Sequence, residues 1–373
     1  MEQVNFSNVS TILSQYRVAI DDNMAATIER HVNDVWVRNA LAYHLGWLDE
    51  KFQPNANREQ AAGKKIRPTL ALLCFQSALQ NEQQLSTIDA NFDLALTLGA
   101  SLELLHNYSL IHDDIEDEDK LRRGRTTLWA AFGSAKAINV GDCLHALAFC
   151  TLSQLQECGL DSARVNSLLT TLMRCSVKLT LGQQADLSFE DQLTVTSDDY
   201  LKMIAAKTAA LIKASTYCGA LLALGSSHQN EHKLALYAEF GQHLGMAFQL
   251  WDDLLGIWGQ TKKTGKLSGS DIRRRKKSLP IIYTFDQTAP LTRTALVRLY
   301  QDSAPISPEQ EHFIRTALNE CGAREYVYAQ TESYKQCALS ALDELARSAE
   351  LPEENIYLSQ LRKVTLYMTE RNH

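Results

Sequence analysis

The stretch Phe248–Gly259, FQLWDDLLGIWG, sets the strongest limit on how this chain can fold. Its apolar and aromatic residues recur at helical spacing, with Asp252 and Asp253 in their midst. Burying an aspartate there is costly unless a cation partners it. A second stretch poses the same problem. From Glu103 to Thr127 the chain reads ELLHNYSLIHDDIEDEDKLRRGRTT: an apolar helical run leads into a dense acidic run, and Arg122, Arg123 and Arg125 follow. Asp113 and Asp117 are four apart, so a helix stacks them on one face, where like charges repel. Read alone, this stretch is equally a solvated acidic helix end followed by a basic turn. The second acid pair shifts the reading. Two acid pairs on separate apolar helices predict opposing walls of one cavity with a metal between them. Mg²⁺ suits such a site, being hard and usually held by one or two carboxylates plus substrate phosphates. The arginines downstream suit those phosphates, which a guanidinium fork matches bidentately.

The rest of the chain agrees with a helical frame. Seven prolines and 17 glycines in 373 residues are few, and apolar residues recur at three- and four-residue spacing almost throughout. No alternating strand pattern stands out, so the fold class is all-α. No repeat, low-complexity tract or linker demands a second domain. We expect a single domain over 1–373: N-terminal helices (1–50), a catalytic core (51–285) and C-terminal helices (286–373). Residues 1–50 and 286–373 carry no chemical motif and read as packing. A net charge of −7 gives no global basic field for nucleic acid. No apolar run approaches the roughly 20 residues of a membrane helix. The N-terminus lacks the basic start and apolar core of a secretory signal. The eight cysteines form no CxxC pair, which points to reduced thiols and a cytoplasmic location.

Between these landmarks lie further polar groups in apolar company. Lys64, Lys65 and Arg67 precede or open a helix whose first turn accommodates Pro68. Helix N-termini favour phosphate, although an ordinary basic loop reads the same way. His106 lies seven residues before Asp113, about two turns away on the same side. Lys207 and Thr208 open an alanine-rich helix. After Asp252 the run TKKTGKLSGSDIRRRKKSLP mixes cations with Gly and Asp, and fits a loop closing on phosphate better than a nucleic-acid patch.

In order and spacing these motifs resemble those of the all-trans isoprenyl (polyprenyl) diphosphate synthases. The first aspartate-rich motif, DDxxD, is met by Asp113, Asp114 and Asp117; the second is met by Asp252 and Asp253 but has Gly256 where the family usually has Asp. GGKRxRP is met from Gly63 to Pro68, with Ala62 for the first glycine. ExxHxxSLIHDD is met by Glu103, His106 and Ser109–Asp114, and RRG by Arg122–Gly124, with Arg125 in place of proline. GQxxD is met by Gly182, Gln183 and Asp186, and the closing loop by Lys266, Asp271 and Lys276. The matches span about Gly63 to Pro280, more than half the chain.

The resemblance implies an isoprenoid-synthase-type helical bundle around a central cavity, a Mg²⁺ cofactor and a homodimer. It implies condensation of isopentenyl diphosphate with an allylic prenyl diphosphate by ionisation and alkylation. Lys64, Arg67, His106 and Arg123 would hold isopentenyl diphosphate. Arg122, Lys207 and Lys266 would hold the allylic diphosphate, with Thr208 and Gln249 beside it. Asp113, Asp117 and Asp252 would hold the metal, with Asp114 in the same catalytic group. Tyr108, five residues before Asp113, would block the growing chain and favour a fifteen- or twenty-carbon product, farnesyl or geranylgeranyl diphosphate. Two alternatives remain at this stage: a terpene synthase on the same fold that cyclises a prenyl diphosphate, and a non-catalytic partner subunit of a prenyl synthase.

Overall fold

In the computed structural model, residues 6–82, 88–192, 194–259, 269–348 and 354–370 are described. They form an all-α fold. In chain order the first helices are α1 (Phe6–Ser14), α2 (Arg17–His31), α3 (Val35–His44), α4 (Arg58–Ala61), α5 (Ile66–Asn81) and α6 (Ile88–Glu116). There follow α7 (Leu128–Phe132), α8 (Ser134–Glu157), α9 (Ser162–Asp191), α10 (Ser197–Ile204), α11 (Ala210–Leu224) and α12 (Glu231–Trp258). The C-terminal set is α13 (Ser270–Arg273), α14 (Leu279–Gln287), α15 (Pro290–Gln301), α16 (Pro308–Glu320), α17 (Ala323–Arg347) and α18 (Ile356–Glu370). Several start where local chemistry dictates. Thr196 and Asp199 form a reciprocal capping box on α10, and Ser307 and Gln310 form one on α16, where Pro308 also takes the first helical position. No helix among the described residues is long and apolar enough to cross a membrane.

The chain divides into two compact units interleaved in sequence. One comprises 1–176, 214–237 and 345–361; the other comprises 177–213, 238–344 and 362–373.

In the first unit α5 is the central helix. Every residue from Pro68 to Asn81 is buried, the polar Thr69, Gln76, Ser77, Gln80 and Asn81 included. Leu70, Leu72, Leu73 and Phe75 are almost wholly removed from water, each contributing roughly 1.5–3 kcal/mol of burial. Helix α6 packs against both α5 and α8. Three polar side chains of α5 find partners of specific shape: Tyr16 donates to Gln76 (2.7 Å), Ser77 bonds Tyr237 (2.9 Å), and Asn355 donates to Asn81 (2.7 Å). In the second unit Tyr200, Met203, Ile204, Met246, Leu250 and Leu254 form one apolar cluster, and Ile257, Ile272, Leu296, Ile314 and Leu318 a second.

Two features depart from the helical expectation. The segment read as a basic turn is a two-residue hairpin, β1 (Leu121–Arg122) against β2 (Arg125–Thr126), with Arg122 opposite Arg125. Arg123 and Gly124 take φ values of 53° and 74°, the left-handed pair that a tight two-residue hairpin needs. The second departure is at Lys207. The segment Ala205–Ala209 is a π-helix between α10 and α11, not the start of an α-helix. Such insertions gather at functional sites. Gly182 of α9 and Gly245 of α12 make room for it, since a Cβ on Gly182 would collide with the backbone of Lys207, and one on Gly245 would lie 2.5 Å from the Cα of Ala209.

Candidate active site

In the first unit the basic loop before α5 meets the middle of α6. Arg67 Nη1 lies 3.1 Å from His106 Nε2. Arginine only donates, so that ring nitrogen accepts and the His106 proton sits on Nδ1. Burial first, and then Arg67, Arg123, Arg122 and Lys65, hold the His106 pKa well below its ordinary value, so the ring is neutral. Arg123 donates to the carbonyl of Ala61 (3.1 Å), and a Cβ on Gly63 would lie 2.5 Å from its guanidinium. Gly63 (φ 74°) therefore lets the hairpin arginine lie flat on the loop carrying Lys64. Lys64 itself is exposed. Thus Lys64, Arg67, His106 and Arg123 gather within one unit.

The first acid group ends α6. Asp113 lies in its last turn, and the N–H of Asp117 bonds the carbonyl of Asp113 (2.8 Å), so the helical spacing persists just past the assigned end. Carboxylates at a helix C-terminus oppose the macrodipole and need cations nearby. Asp114 is 1% exposed and accepts from Arg122 Nε at 2.7 Å. Burial raises its pKa and the Arg122 charge opposes the rise. Asp114 therefore holds Arg122, leaving Asp113 and the exposed Asp117 as the outward pair.

Arg125 shows why the family's proline can be absent here. Its guanidinium lies 4.5 Å from the centroid of the Tyr43 ring and donates to the carbonyl of Leu48 (2.8 Å). Tyr43 in turn donates to the carbonyl of Thr126 (2.5 Å), tying α3 to the hairpin. Neighbouring His44 is pushed down to about 3 by burial and by Arg122, Arg123 and Arg125. The N-terminal helices, read from sequence as packing alone, reach the arginine hairpin.

The second acid group lies in the second unit. Asp253 is 1% exposed and accepts at both oxygens, from Tyr200 (2.5 Å) and Gln249 (3.1 Å). Burial pushes its pKa up to about 7. Thr208 donates to Gln249 (2.8 Å), so Thr208, Gln249 and Asp253 form one chain from the π-helix to α12. Asp252, one position along the helix, points about 100° away from Asp253. Lys207 is paired with Asp186 at 2.5 Å. Lys276 is buried against its charge, yet Asp271, Asp253, Asp186 and Asp252 around it outweigh burial and raise its pKa. At Gly256 a Cβ would overlap the carboxylate of Asp271, so the aspartate expected there has no room while Asp271 keeps its place. Lys266 lies outside the described residues.

Tyr108 packs on His112 (centroids 5.0 Å) and on His145 of α8 (4.6 Å), whose ring bonds Ser176 (2.7 Å). Among the described residues no group of three or more His, Cys, Asp or Glu is arranged to hold a metal unaided.

A profile of the family described as polyprenyl synthetase matches residues 47–318. The chain belongs to the polyprenyl synthetase family. It is a prenyl-transferring enzyme of that family. It is 36% identical to a (2E,6E)-farnesyl diphosphate synthase of Mycobacterium tuberculosis over 340 residues, covering 91% of this chain and 87% of that one. A geranylgeranyl diphosphate synthase of the same organism is 35% identical over 319 residues, 86% of this chain and 84% of the relative. A polyprenyl synthetase from Streptomyces coelicolor has the same fold at a TM-score of 0.81 and 30% identity, covering 96% of this chain and 99% of its own.

The sequence did not single out Tyr200, and it read Tyr43 and His44 as packing and Lys65 only as part of a basic cluster. Tyr200 is the donor to Asp253, and its only local mark is its place just after a capping box. Lys65 lies inside the GGKRxRP match without a role of its own there, and Tyr43 and His44 lie on α3, away from every motif.

Proposed function

We propose that the chain condenses isopentenyl diphosphate with an allylic diphosphate of ten to fifteen carbons. The observation that carries this reading is the preserved basic group of Lys64, Arg67, His106 and Arg123. An enzyme that only ionises and cyclises one prenyl diphosphate has no use for a second diphosphate site. Lys64, Arg67 and Arg123 bind the diphosphate of isopentenyl diphosphate, and neutral His106 donates to it from Nε2 once the anion displaces the Arg67 contact and the ring proton has moved from Nδ1 to Nε2. Arg122, held by Asp114, and Lys207, held by Asp186, serve the allylic diphosphate with Lys266, while Thr208 and Gln249 orient it. Asp113, Asp117 and Asp252 offer oxygen donors only, which fits a hard cation. When bound, Mg²⁺ neutralises the diphosphate and stabilises the charge it gains on leaving. The cations at Arg122 and Lys207 act in the same direction. The allylic C–O bond breaks, the isopentenyl double bond attacks the allylic carbon, and the departed diphosphate takes the proton lost from the carbon next to the new cationic centre. No protein nucleophile takes part.

Incubation with Mg²⁺ and farnesyl diphosphate, with and without isopentenyl diphosphate, tests this. A longer diphosphate formed only with both substrates supports condensation. A hydrocarbon or terpene alcohol from the allylic substrate alone assigns a terpene synthase instead. Absence of turnover with every allylic length from five to twenty carbons assigns a partner subunit.

Tyr108, wedged between His112 and His145, is proposed as the block that limits product length. Tyr108→Ala is expected to shift products by at least one five-carbon unit, read by chromatography of the dephosphorylated alcohols. An unchanged distribution removes Tyr108 from this role.

The proposal includes a homodimer in the cytoplasm. None of the eight cysteines is in a disulfide, in keeping with a reducing compartment. Met173, Val177 and Leu181 of α9 stand 51, 61 and 63% exposed at four-residue intervals, an apolar stripe that a second copy would cover. Val177→Asp with Leu181→Asp is expected to halve the mass measured by light scattering, and an unchanged dimer would place the interface elsewhere.

A further inference from the structure

Lys65 stands between two residues assigned above to isopentenyl diphosphate, yet its own side chain is turned inward and is only 1% exposed. Its Nζ lies 3.1 Å from Asp21 Oδ1 and 3.3 Å from Glu103 Oε1, carboxylates that are themselves 2% and 4% exposed. Arg58 reaches the other Asp21 oxygen at 3.1 Å. Two carboxylates and two cations therefore balance, all within one compact unit. Among the described residues neither Lys65 Nζ nor Asp21 Oδ1 makes an aligned hydrogen bond, so charge rather than bond geometry holds the group. The backbone at Lys65 is left-handed, with φ at 50°, a conformation that a lysine seldom adopts unaided. Such a backbone persists where its surroundings over-determine it, and the buried charges supply that constraint here.

The consequence reaches the substrate-binding side chains. With Lys65 pinned inward, Lys64 projects outward and Arg67, in the first turn of α5, meets His106. Glu103 lies one turn before His106 on α6, and Asn107 fixes it by donating to Glu103 Oε1 at 3.1 Å. Asp21 comes from α2, a helix with no residue in any motif. We propose that Asp21 is a positioning residue for isopentenyl diphosphate, setting Lys64 and Arg67 through the buried Lys65. This inference rests on the condensation reading above. Removing the Asp21 charge leaves Lys65 with Glu103 alone and frees the loop to turn. The allylic side, served by other residues, keeps its geometry.

The decisive variant is Asp21→Asn, which keeps the shape and removes the charge. It is expected to raise KM for isopentenyl diphosphate about tenfold, a change of roughly 1.4 kcal/mol. KM for the allylic diphosphate and kcat should stay within about twofold. Asp21→Glu should recover most of the loss, and Asp22→Asn, at the exposed neighbour, should change nothing. Removing one partner of a buried ion group can also unfold a protein. For that case the pair Asp21→Leu with Lys65→Met removes both charges, and the same selective rise in KM is expected. An unchanged KM for isopentenyl diphosphate in folded variants overturns the proposal. So does a parallel loss in both KM values, kcat and melting temperature. Should the unaltered protein fail to elongate any substrate, the condensation reading falls separately. Hydrogen exchange of the amides of residues 62–68 then decides positioning: faster in Asp21→Asn than in Asp22→Asn sustains it, and equal rates overturn it.

Discussion

Asp252→Ala is expected to lower kcat by about 10²–10³-fold while leaving the melting temperature nearly unchanged, and Asp253→Ala to do the reverse. The two aspartates are neighbours in sequence, so the contrast isolates direction on the helix. Asp253 is buried and accepts from Tyr200 and Gln249, both of which lose their acceptor in the alanine variant. An unsatisfied buried polar group costs about 1–3 kcal/mol, so two of them amount to several degrees in melting temperature. Gln249 would also lose the contact that aligns it with Thr208, which adds a smaller fall in rate. Asp252 is half-buried and stands outside the Tyr200–Asp253–Gln249 bonds. Its removal forfeits charge stabilisation in the transition state and little packing. Thermal unfolding and initial rates, measured on both variants, decide the matter. Equal rate losses at equal melting temperatures would show that the aspartates act as one group, and the division of roles would fail.

How far the sequence reached depended on whether a signal was local. Helices α6 and α12 were legible because apolar spacing repeats over several turns. The two acid pairs and the Arg67–His106 neighbourhood stood out because residue type and order repeat a family pattern. The hairpin at Arg123 was not, since strands of two residues carry no period. The π-helix at Lys207 was not, since its residues suit an α-helix equally well and the deciding contacts come from Gly182 and Gly245, distant in sequence. Asp21 with Lys65, Tyr200 with Asp253, and Arg125 with Tyr43 are likewise pairs made by folding, each separated by 44 to 82 positions. The division into units escaped notice because the chain passes between them inside continuous helices such as α9 and α11, with no linker to mark the passage.

Gly256→Asp should impair the enzyme although it restores the family's usual residue. A side chain at 256 would enter the space that the Asp271 carboxylate fills, so one of the two must move. Asp271 is the nearer to yield, being a short side chain held by Ser270 (3.1 Å), but it also leads the carboxylates that keep Lys276 charged. Displacing it, and setting a second negative charge against it, disturbs the loop that carries Lys276. A misplacement of about 1 Å near the chemistry costs up to about 10²-fold in rate, and a fall of at least tenfold is expected here. Asp271→Ala alone should lose a similar amount, since nothing else fills the vacated place. The double variant, Gly256→Asp with Asp271→Ala, moves the carboxylate from one position to the other without crowding. It is expected to recover most of the activity, a coupling of about 1–2 kcal/mol in a double-mutant cycle. Losses that simply add would show that the two positions act independently. A gain from Gly256→Asp alone would mean that this chain lacks a carboxylate rather than having relocated one.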